Sequence, residues 1–127
     1  MTDLSVVVLT WNTKSLTLAC LSQLQVALRA MGRRRDWSSE VIVVDNGSTD
    51  GTSDELRTRF PEMTLQENPG NLGFAAGMNS GLRKARGRIL LLLNSDAFVG
   101  AATLEACMDA LEACEQAGIV GPRLLHP

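Results

Sequence analysis

Thr10-Trp11-Asn12, Asp45-Asn46-Gly47, the stretch from Asn68 to Gly73, and Asn94-Ser95-Asp96 are the places where this sequence is equipped for chemistry. Each follows an apolar or alternating stretch, and together they gather amides, hydroxyls and carboxylates with no basic group among them. Such oxygen-rich sets suit a base, a ribose and a hard divalent cation, because magnesium and manganese take oxygen ligands and usually share them with substrate phosphates. Asp96 is the first candidate for a metal or phosphate-side ligand. It comes just after the apolar run Ile89 to Leu93, and a carboxylate at the carboxyl end of a buried strand lies where open α/β sheets hold ligands. The same three residues would equally close an Asx-type turn.

Other chemistries find less support. No G-x-x-x-x-G-K-[ST] is present, which excludes a P-loop nucleotidase. Gly70-x-x-Gly73-x-x-x-Gly77 has a superficial likeness to a dinucleotide fingerprint, but it follows the third expected strand rather than the first. The single histidine, His126, stands next to the chain end, so no histidine–cysteine or histidine–serine pair is placed as nucleophile and base. Cys20, Cys107 and Cys114 lack zinc spacing and read as small core residues in a reducing compartment.

These clusters need elements to hold them. Leu4 to Leu9 and Val41 to Val44 are short, β-branched and apolar, as strands buried on both faces are. Ile89 to Leu93 reads the same way, as a strand in the middle of a parallel sheet, and Met63 to Glu67 as a weaker edge strand. Between them, Leu18, Leu21, Leu24, Leu28 and Met31 recur at helical spacing within a helix from Thr13 to Met31. Thr52-Ser53-Asp54-Glu55 has the capping-box form and predicts a short helix ended by Pro61.

A third helix is expected from Phe74 to Ala85, where Gly77 and Gly81 bare one face for close approach of a strand or a ligand. A fourth runs from Ala101 to Ala117 with Leu104, Met108 and Leu111 inward, and Ile119-Val120 begins a fifth strand. The order β-α-β-α-β-α-β-α-β demands a mostly parallel twisted sheet with helices on both faces, a Rossmann-like α/β fold. In such a sheet all carboxyl ends share one edge, so the polar clusters meet along a single rim and can line a crevice for a polar ligand.

The totals set bounds on partners. The 127 residues suggest one domain, and with 45% hydrophobic but only 4% aromatic residues its core must be aliphatic. A formal charge of -2 argues against a nucleic-acid binder. Arg33-Arg34-Arg35 reads as a solvated helix end whose cations suit the helix dipole, with an anionic surface as the less favoured reading. Glu105, Asp109, Glu112 and Glu115 read as the solvated face of the last helix. No signal peptide or transmembrane run is visible.

SVVVLTWN, EVIVVDNGSTDGT, ENPGNLGFAAGMNSGL and GRILLLLNSD, in this order, closely resemble the opening half of family 2 glycosyltransferases of the GT-A fold, and the bacterial rhamnosyltransferase-like branch above all. The resemblance covers Leu4 to about Leu125, and the four motifs are specific together rather than singly. It implies that Thr10, Trp11 and Asn12 lie beside the nucleoside, largely through backbone contacts. Asp45 would accept a hydrogen bond from the pyrimidine or ribose, while Asn46 and Gly47 shape its turn. Asn71, Gly73 and Asn79 would face the nucleotide from the third loop and its helix.

Asn94-Ser95-Asp96 takes the place of the family's D-x-D motif, with Asp96 binding the Mg2+ or Mn2+ that bridges the diphosphate. Asn94 stands where that motif begins with Asp; its amide can meet a ribose hydroxyl but lowers the negative charge of the site. The implied substrate is a dTDP-, UDP- or GDP-linked sugar, rhamnose among them. The implied reaction is inverting transfer to a glycan or lipid-linked acceptor in polysaccharide biosynthesis.

In this family the catalytic base and the acceptor surface come from chain beyond the D-x-D region. Residues 1–127 are therefore expected to be the donor-nucleotide half, inactive in transfer unaided, cytoplasmic or peripheral at the inner face of the membrane. Two other readings stand beside it. One is a non-catalytic GT-A-like binding or assembly module, with a homodimer over the surface the other half would cover. The other is a nucleotidyltransferase-like sugar activator. That would need a glycine-rich basic loop after the first strand, which Thr10-Trp11-Asn12-Thr13-Lys14 does not provide.

Overall fold

The computed structural model describes residues 1–126. Strands and helices alternate as β1 (Leu4–Thr10), α1 (Lys14–Arg35), β2 (Ser39–Asp45), α2 (Thr52–Arg59), β3 (Thr64–Glu67), α3 (Phe74–Leu82), β4 (Ile89–Asn94) and α4 (Ala101–Ala113). The strands form one sheet in the order β3-β2-β1-β4, with every neighbouring pair parallel. This is the expected Rossmann-like α/β arrangement. Its register sets Thr10 beside Asp45, Asp45 beside Glu67 and Leu9 beside Asn94, so the polar strand ends do share one edge.

Alternation along the strands divides the core in two. Leu4, Val6 and Val8 of β1 pack with Val43, Ile89 and Leu93 against Cys20, Leu21, Leu24, Leu28 and Met31 of α1 and Leu104 and Met108 of α4. Val7, Ile42 and Val44 face the other way and meet Met78 of α3. Burying each such aliphatic side chain contributes about 1.5–3 kcal/mol. The glycines of α3 make the second packing possible. A Cβ on Gly81 would lie 2.5 Å from Val44 Cγ2 and 2.6 Å from Val7 Cγ1, and one on Gly77 2.9 Å from Leu9 Cδ1. The bare face expected from the sequence is used by the sheet.

β4 departs from expectation. It is an edge strand of this sheet, not a central one. Ile89 and Leu93 are buried, but Leu90 and Leu92 are 46% and 49% exposed. The register explains the split, because Leu90 and Leu92 pair with Ser5 and Val7 and so lie on the α3 side. α3 packs on β1 and β2 and leaves β4 uncovered. Ile119-Val120 forms no strand, and Ile119 is exposed. Two apolar residues with no neighbouring strand cannot meet the cost of ordering.

Boundaries differ where burial or capping decides them. α4 stops at Ala113 rather than Ala117, because the next positions on its inward face, Cys114 and Glu115, are exposed and the extended Cys114 breaks the ladder. α3 stops at Leu82 rather than Ala85, where Lys84 and Ala85 bond back three residues to Gly81 and Leu82 in a tighter turn. α1 runs past Met31 to Arg35; Arg33 is exposed as expected of a solvated end, but Arg34 and Arg35 do more than meet solvent. Arg34 pairs with Glu105, while Arg35 pairs with Asp109 and Glu112, so these carboxylates are not merely a solvated face. Arg35 and Arg88 also lie over the Trp37 ring at 5.1 and 5.4 Å. The cluster docks the end of α1 on α4.

Two further expectations are overturned. Thr52 does not cap α2 through a capping box. Gly51 is the cap residue, with no side-chain cap bond, and Asp50 accepts the Thr52 N–H and hydroxyl instead. The aspartate two residues upstream outcompetes Glu55 by making an Asx-type turn. Of the cysteines, Cys20 is buried and Cys107 half-buried against the core, but Cys114, just past α4, is exposed.

Candidate functional site

The loops after β1, β2, β3 and β4 meet at the carboxyl edge around an open cavity of about 310 Å³. Leu9, Thr10, Trp11, Thr13, Leu16, Asn46, Asn71, Gly73, Phe74, Asn94, Ser95 and Asp96 line it. Eight of the positions expected from the sequence are thus brought together: Thr10, Trp11, Asn46, Asn71, Gly73, Asn94, Ser95 and Asp96. Asn12, Asp45, Gly47 and Asn79 are not among the lining residues. Asn79 is exposed on α3 and Asn12 on the first loop, while Asp45 is buried and Gly47 half-buried in the second.

What they do there follows from their hydrogen bonds. Asn12, held at φ 50°, accepts the Thr49 N–H through Oδ1 at 2.8 Å, and its own N–H donates to the Ser48 hydroxyl at 2.9 Å. This ties the first loop to the second. Asp45 is buried and spends its carboxylate on its own loop, where Oδ1 accepts the Ser48 N–H at 2.8 Å and Oδ2 accepts the Ser53 hydroxyl. Gly47 turns at φ 86°, and a Cβ there would stand 2.6 Å from Gly70 Cα, so the second and third loops touch at this glycine.

Asn46 is the lock between those two loops. Its Oδ1 accepts the Asn68 amide and the Leu72 N–H at 3.1 Å, and its Nδ2 donates to Asn71 Oδ1 at 3.0 Å and to the Gly73 carbonyl at 3.1 Å. A buried amide offers two donors and an acceptor with two lone pairs. All are used.

The first and fourth loops are joined by hydroxyls. Thr13 Oγ1 lies 3.2 Å from Thr10 Oγ1, from Thr17 Oγ1 and from Ser95 Oγ. Thr10 and Thr17 are 2.7 Å apart beneath it. The fourth loop is itself a turn, closed by the Ala97 N–H donating to the Asn94 carbonyl at 3.0 Å. The turn reading and the ligand reading of Asn94-Ser95-Asp96 are therefore compatible, because the turn is made by backbone. Asp96 is exposed, and its carboxylate accepts no hydrogen bond among the described residues. From below, the Cys20 thiol donates to the Ala97 carbonyl at 3.1 Å. Burial first, and the nearby Asp96 charge second, push that thiol up to about 11, so it stays protonated.

Four lining residues were not expected from sequence: Leu9, Thr13, Leu16 and Phe74. Thr10, Thr13 and Thr17 do carry a signal in their spacing, which sets three hydroxyls around a strand end and the first turn of a helix. Phe74 is signalled by its place as the first residue of α3, immediately after the positive-φ Gly73. Asp50 was also missed. Its pKa is held below the ordinary 3.8, chiefly by the Thr52 hydroxyl, against burial, and with help from the Lys14 and Thr52 N–H groups.

A four-stranded parallel sheet with this order, carrying a carboxylate-and-amide cavity on its carboxyl edge, has the architecture of the amino-terminal half of GT-A glycosyltransferases. The chain belongs to glycosyl transferase family 2, whose model matches residues 5–127. It is 30% identical over 98 residues to an N-acetylglucosaminyl-diphospho-decaprenol L-rhamnosyltransferase of Mycobacterium tuberculosis (strain CDC 1551 / Oshkosh), covering 68% of this chain and 32% of that protein. The chain thus spans about a third of the length of that relative.

Among solved structures, S. aureus TarS 1-349 superposes with a TM-score of 0.69 at 24% identity, covering 88% of this chain and 33% of that one. The mannosyltransferase PcManGT from Pyrobaculum calidifontis, in complex with GDP-Man and Mn2+, superposes with a TM-score of 0.66 at 29% identity. That match covers 84% of this chain and 31% of the mannosyltransferase.

Proposed function

We propose that this chain is the donor-binding half of an inverting glycosyltransferase, taking a nucleoside-diphosphate sugar and a divalent cation at its carboxyl edge. The observation that carries the reading is the convergence of Asp96, Asn94, Asn71, Trp11 and Thr10 on one cavity. Membership of family 2 supplies the reaction class. The mannosyltransferase with GDP-Man and Mn2+ supports the ligand class, and the rhamnosyltransferase relative supports rhamnose as the sugar and a lipid-linked acceptor.

The residues fit a hard cation. No group of three or more His, Cys, Asp or Glu side chains is assembled to hold a metal by itself among the described residues. Asp96 offers an exposed carboxylate, however, and magnesium or manganese is commonly held by one or two carboxylates with the remaining oxygens from substrate phosphate. Bound there, the cation would offset the charge that develops on the leaving diphosphate. Asn94 would turn its amide to a ribose hydroxyl, and Asn71 would hold the nucleoside from the opposite loop. Trp11 and Phe74, both exposed at the rim, would shield the base from water. Asp45 and Asn46 would act through the loops they fix.

Among the described residues, Asp96 is the only carboxylate lining the cavity. If it serves the cation, the group that deprotonates the acceptor hydroxyl must come from elsewhere, in keeping with a base and an acceptor surface on further chain. No helix among the described residues is long and apolar enough to cross a membrane, and a peripheral, cytoplasmic enzyme meeting a lipid-linked acceptor is consistent with that. The exposed apolar face of β4 favours a second reading, a GT-A-like assembly module that binds no donor.

Calorimetric titration with dTDP, UDP and GDP, each with and without manganese, separates the two. The donor reading expects one diphosphate to bind more tightly with manganese, and Asp96→Ala to lose that gain. A cooperatively unfolding chain that binds none of the three overturns it.

A further inference from the structure

We propose that Cys20 is a positioning residue for Asp96, gripping the Asn94–Ala97 turn from beneath so that the carboxylate stays presented to the cavity. The proposal deepens the donor-site reading and rests on it for its consequence, though not for its geometry. Cys20 is 1% exposed and cannot meet a ligand itself. Its Sγ stands 3.1 Å from the Ala97 carbonyl and 3.8 Å from the Asn94 carbonyl. The Asn94 carbonyl is also the one that closes the turn with the Ala97 N–H. The thiol therefore sits where the turn is fastened, bracketing Asp96 on both sides.

α1 holds the turn at a second point. Thr13, seven residues before Cys20 and so two helical turns away on the same side, bonds the Ser95 hydroxyl at 3.2 Å. With Ser95 and the two carbonyls secured, Asp96 and Asn94 are the turn residues whose side chains are left facing the cavity, and Asp96 is the one that carries a charge. A ligand group is useful only when its supporting contacts fix it, and losing the contacts that orient a metal-binding carboxylate costs metal affinity. β4 gives the turn little help, since it is an edge strand bonded to β1 alone. The grip from α1 replaces what a second neighbouring strand would provide.

The thiol's bonding and its bulk can be separated. Cys20→Val keeps an apolar group of similar size and removes the donor; Cys20→Ser keeps a donor and loses bulk; Cys20→Ala loses both. The first readout needs no ligand: hydrogen exchange of the Ala97 amide, compared with amides of β1 as an internal standard. Cys20→Val and Cys20→Ala are expected to speed Ala97 exchange by roughly five-fold or more, about what one lost hydrogen bond allows, and Cys20→Ser to restore part of it. The second readout is titration with UDP, GDP and dTDP. The gain in affinity from manganese should fall by a similar factor in Cys20→Val, while metal-free affinity stays within about two-fold of the parent chain.

Unchanged Ala97 exchange in Cys20→Val, in a variant that unfolds cooperatively, overturns the proposal. So does a loss confined to Cys20→Ala, which would make the effect one of packing. If the parent chain binds no diphosphate, the donor-site reading fails by itself, and the exchange measurement still decides whether Cys20 holds the turn.

Discussion

The Asp50 carboxylate accepts the backbone N–H of Lys14 at 3.0 Å, although the two residues open different helices. The same carboxylate accepts the N–H and hydroxyl of Thr52 at 3.1 and 2.5 Å. One anion thus serves the amino ends of α1 and α2 together. α1 has no acidic residue in its own first turn and no side-chain cap bond from Thr13, so Asp50 supplies from another loop what its own sequence lacks.

Asp50→Asn should therefore cost about 1 kcal/mol of stability at neutral pH, because a single amide oxygen cannot replace both carboxylate oxygens and the amide NH2 would face a donor. The pH dependence has a definite sign. Folding holds the Asp50 pKa below the ordinary 3.8, so the unfolded chain binds more protons in the acid range. The stabilisation is complete above 3.8 and is lost as pH falls through the folded value. Urea unfolding at pH 7 and near pH 3 should show the gap between parent and variant narrowing in acid. A gap of equal size at both would refute the assignment.

Asn46→Asp is nearly isosteric and should be worse than Asn46→Ala. It sets a carboxylate oxygen where Nδ2 now donates, against Asn71 Oδ1 and the Gly73 carbonyl at 3.0 and 3.1 Å. An oxygen facing two acceptors in a buried site should cost about 3 kcal/mol, whereas the alanine variant leaves room for water to meet the same groups. Denaturant midpoints of the two variants give the order directly. A milder aspartate variant would mean that Asn46 is not the lock between the second and third loops.

The alternation of short apolar runs with helical spacing was enough to read the parallel sheet and the shared polar edge, because both follow from local pattern. The cavity-lining positions were legible for a related reason: residues directly after a buried strand have few places to go. What stayed hidden depended on neighbours distant in sequence. Four leucines in a row say that a strand is apolar, but only the reach of α3 decides that Leu90 and Leu92 stay exposed. The pairing of Arg34 and Arg35 with α4 is likewise a matter of packing, 70 or more residues apart in sequence. That Asn46, though it lines the cavity, and Asp45, which is buried behind it, turn their bonding capacity to the loops is also a matter of tertiary neighbours.

The leucines of β4 should behave by parity. Leu93 is 6% exposed in the main core, so Leu93→Ala should cost about 2–4 kcal/mol. Leu92→Ala, at a half-exposed position on the α3 side, should stay within about 0.5 kcal/mol. Chemical denaturation of the isolated chain tests both. Equal costs would mean that the uncovered face of β4 is buried in solution.

Gly81→Ala should destabilise by about 1–3 kcal/mol even though alanine is the better helix former. The added methyl would meet Val44 Cγ2 at 2.5 Å and Val7 Cγ1 at 2.6 Å, both branched side chains fixed in the sheet. Gly100→Ala is the control, since nothing lies within 4 Å of a Cβ there. A fall in melting temperature for the first and not the second is expected. Similar values for both would show that α3 can lift off the sheet at little cost.

Asn94→Asp should strengthen cation binding if the cavity is the donor site. Asn94 and Asp96 both line the cavity, and with an amide at the first position the site offers one carboxylate where two are feasible. Affinity for hard cations rises with the number of charged oxygen ligands, so a second carboxylate should raise manganese affinity about tenfold in the presence of diphosphate. Without the metal, two like charges on one turn repel each other, and a bound cation relieves that repulsion. The variant should therefore gain stability from manganese where the parent chain gains little. Melting temperatures with and without manganese, and titration of each chain with manganese and UDP, GDP or dTDP, measure both effects. If the substitution leaves manganese affinity unchanged, the two side chains do not converge on one cation, and Asp96 must serve the ligand in another way.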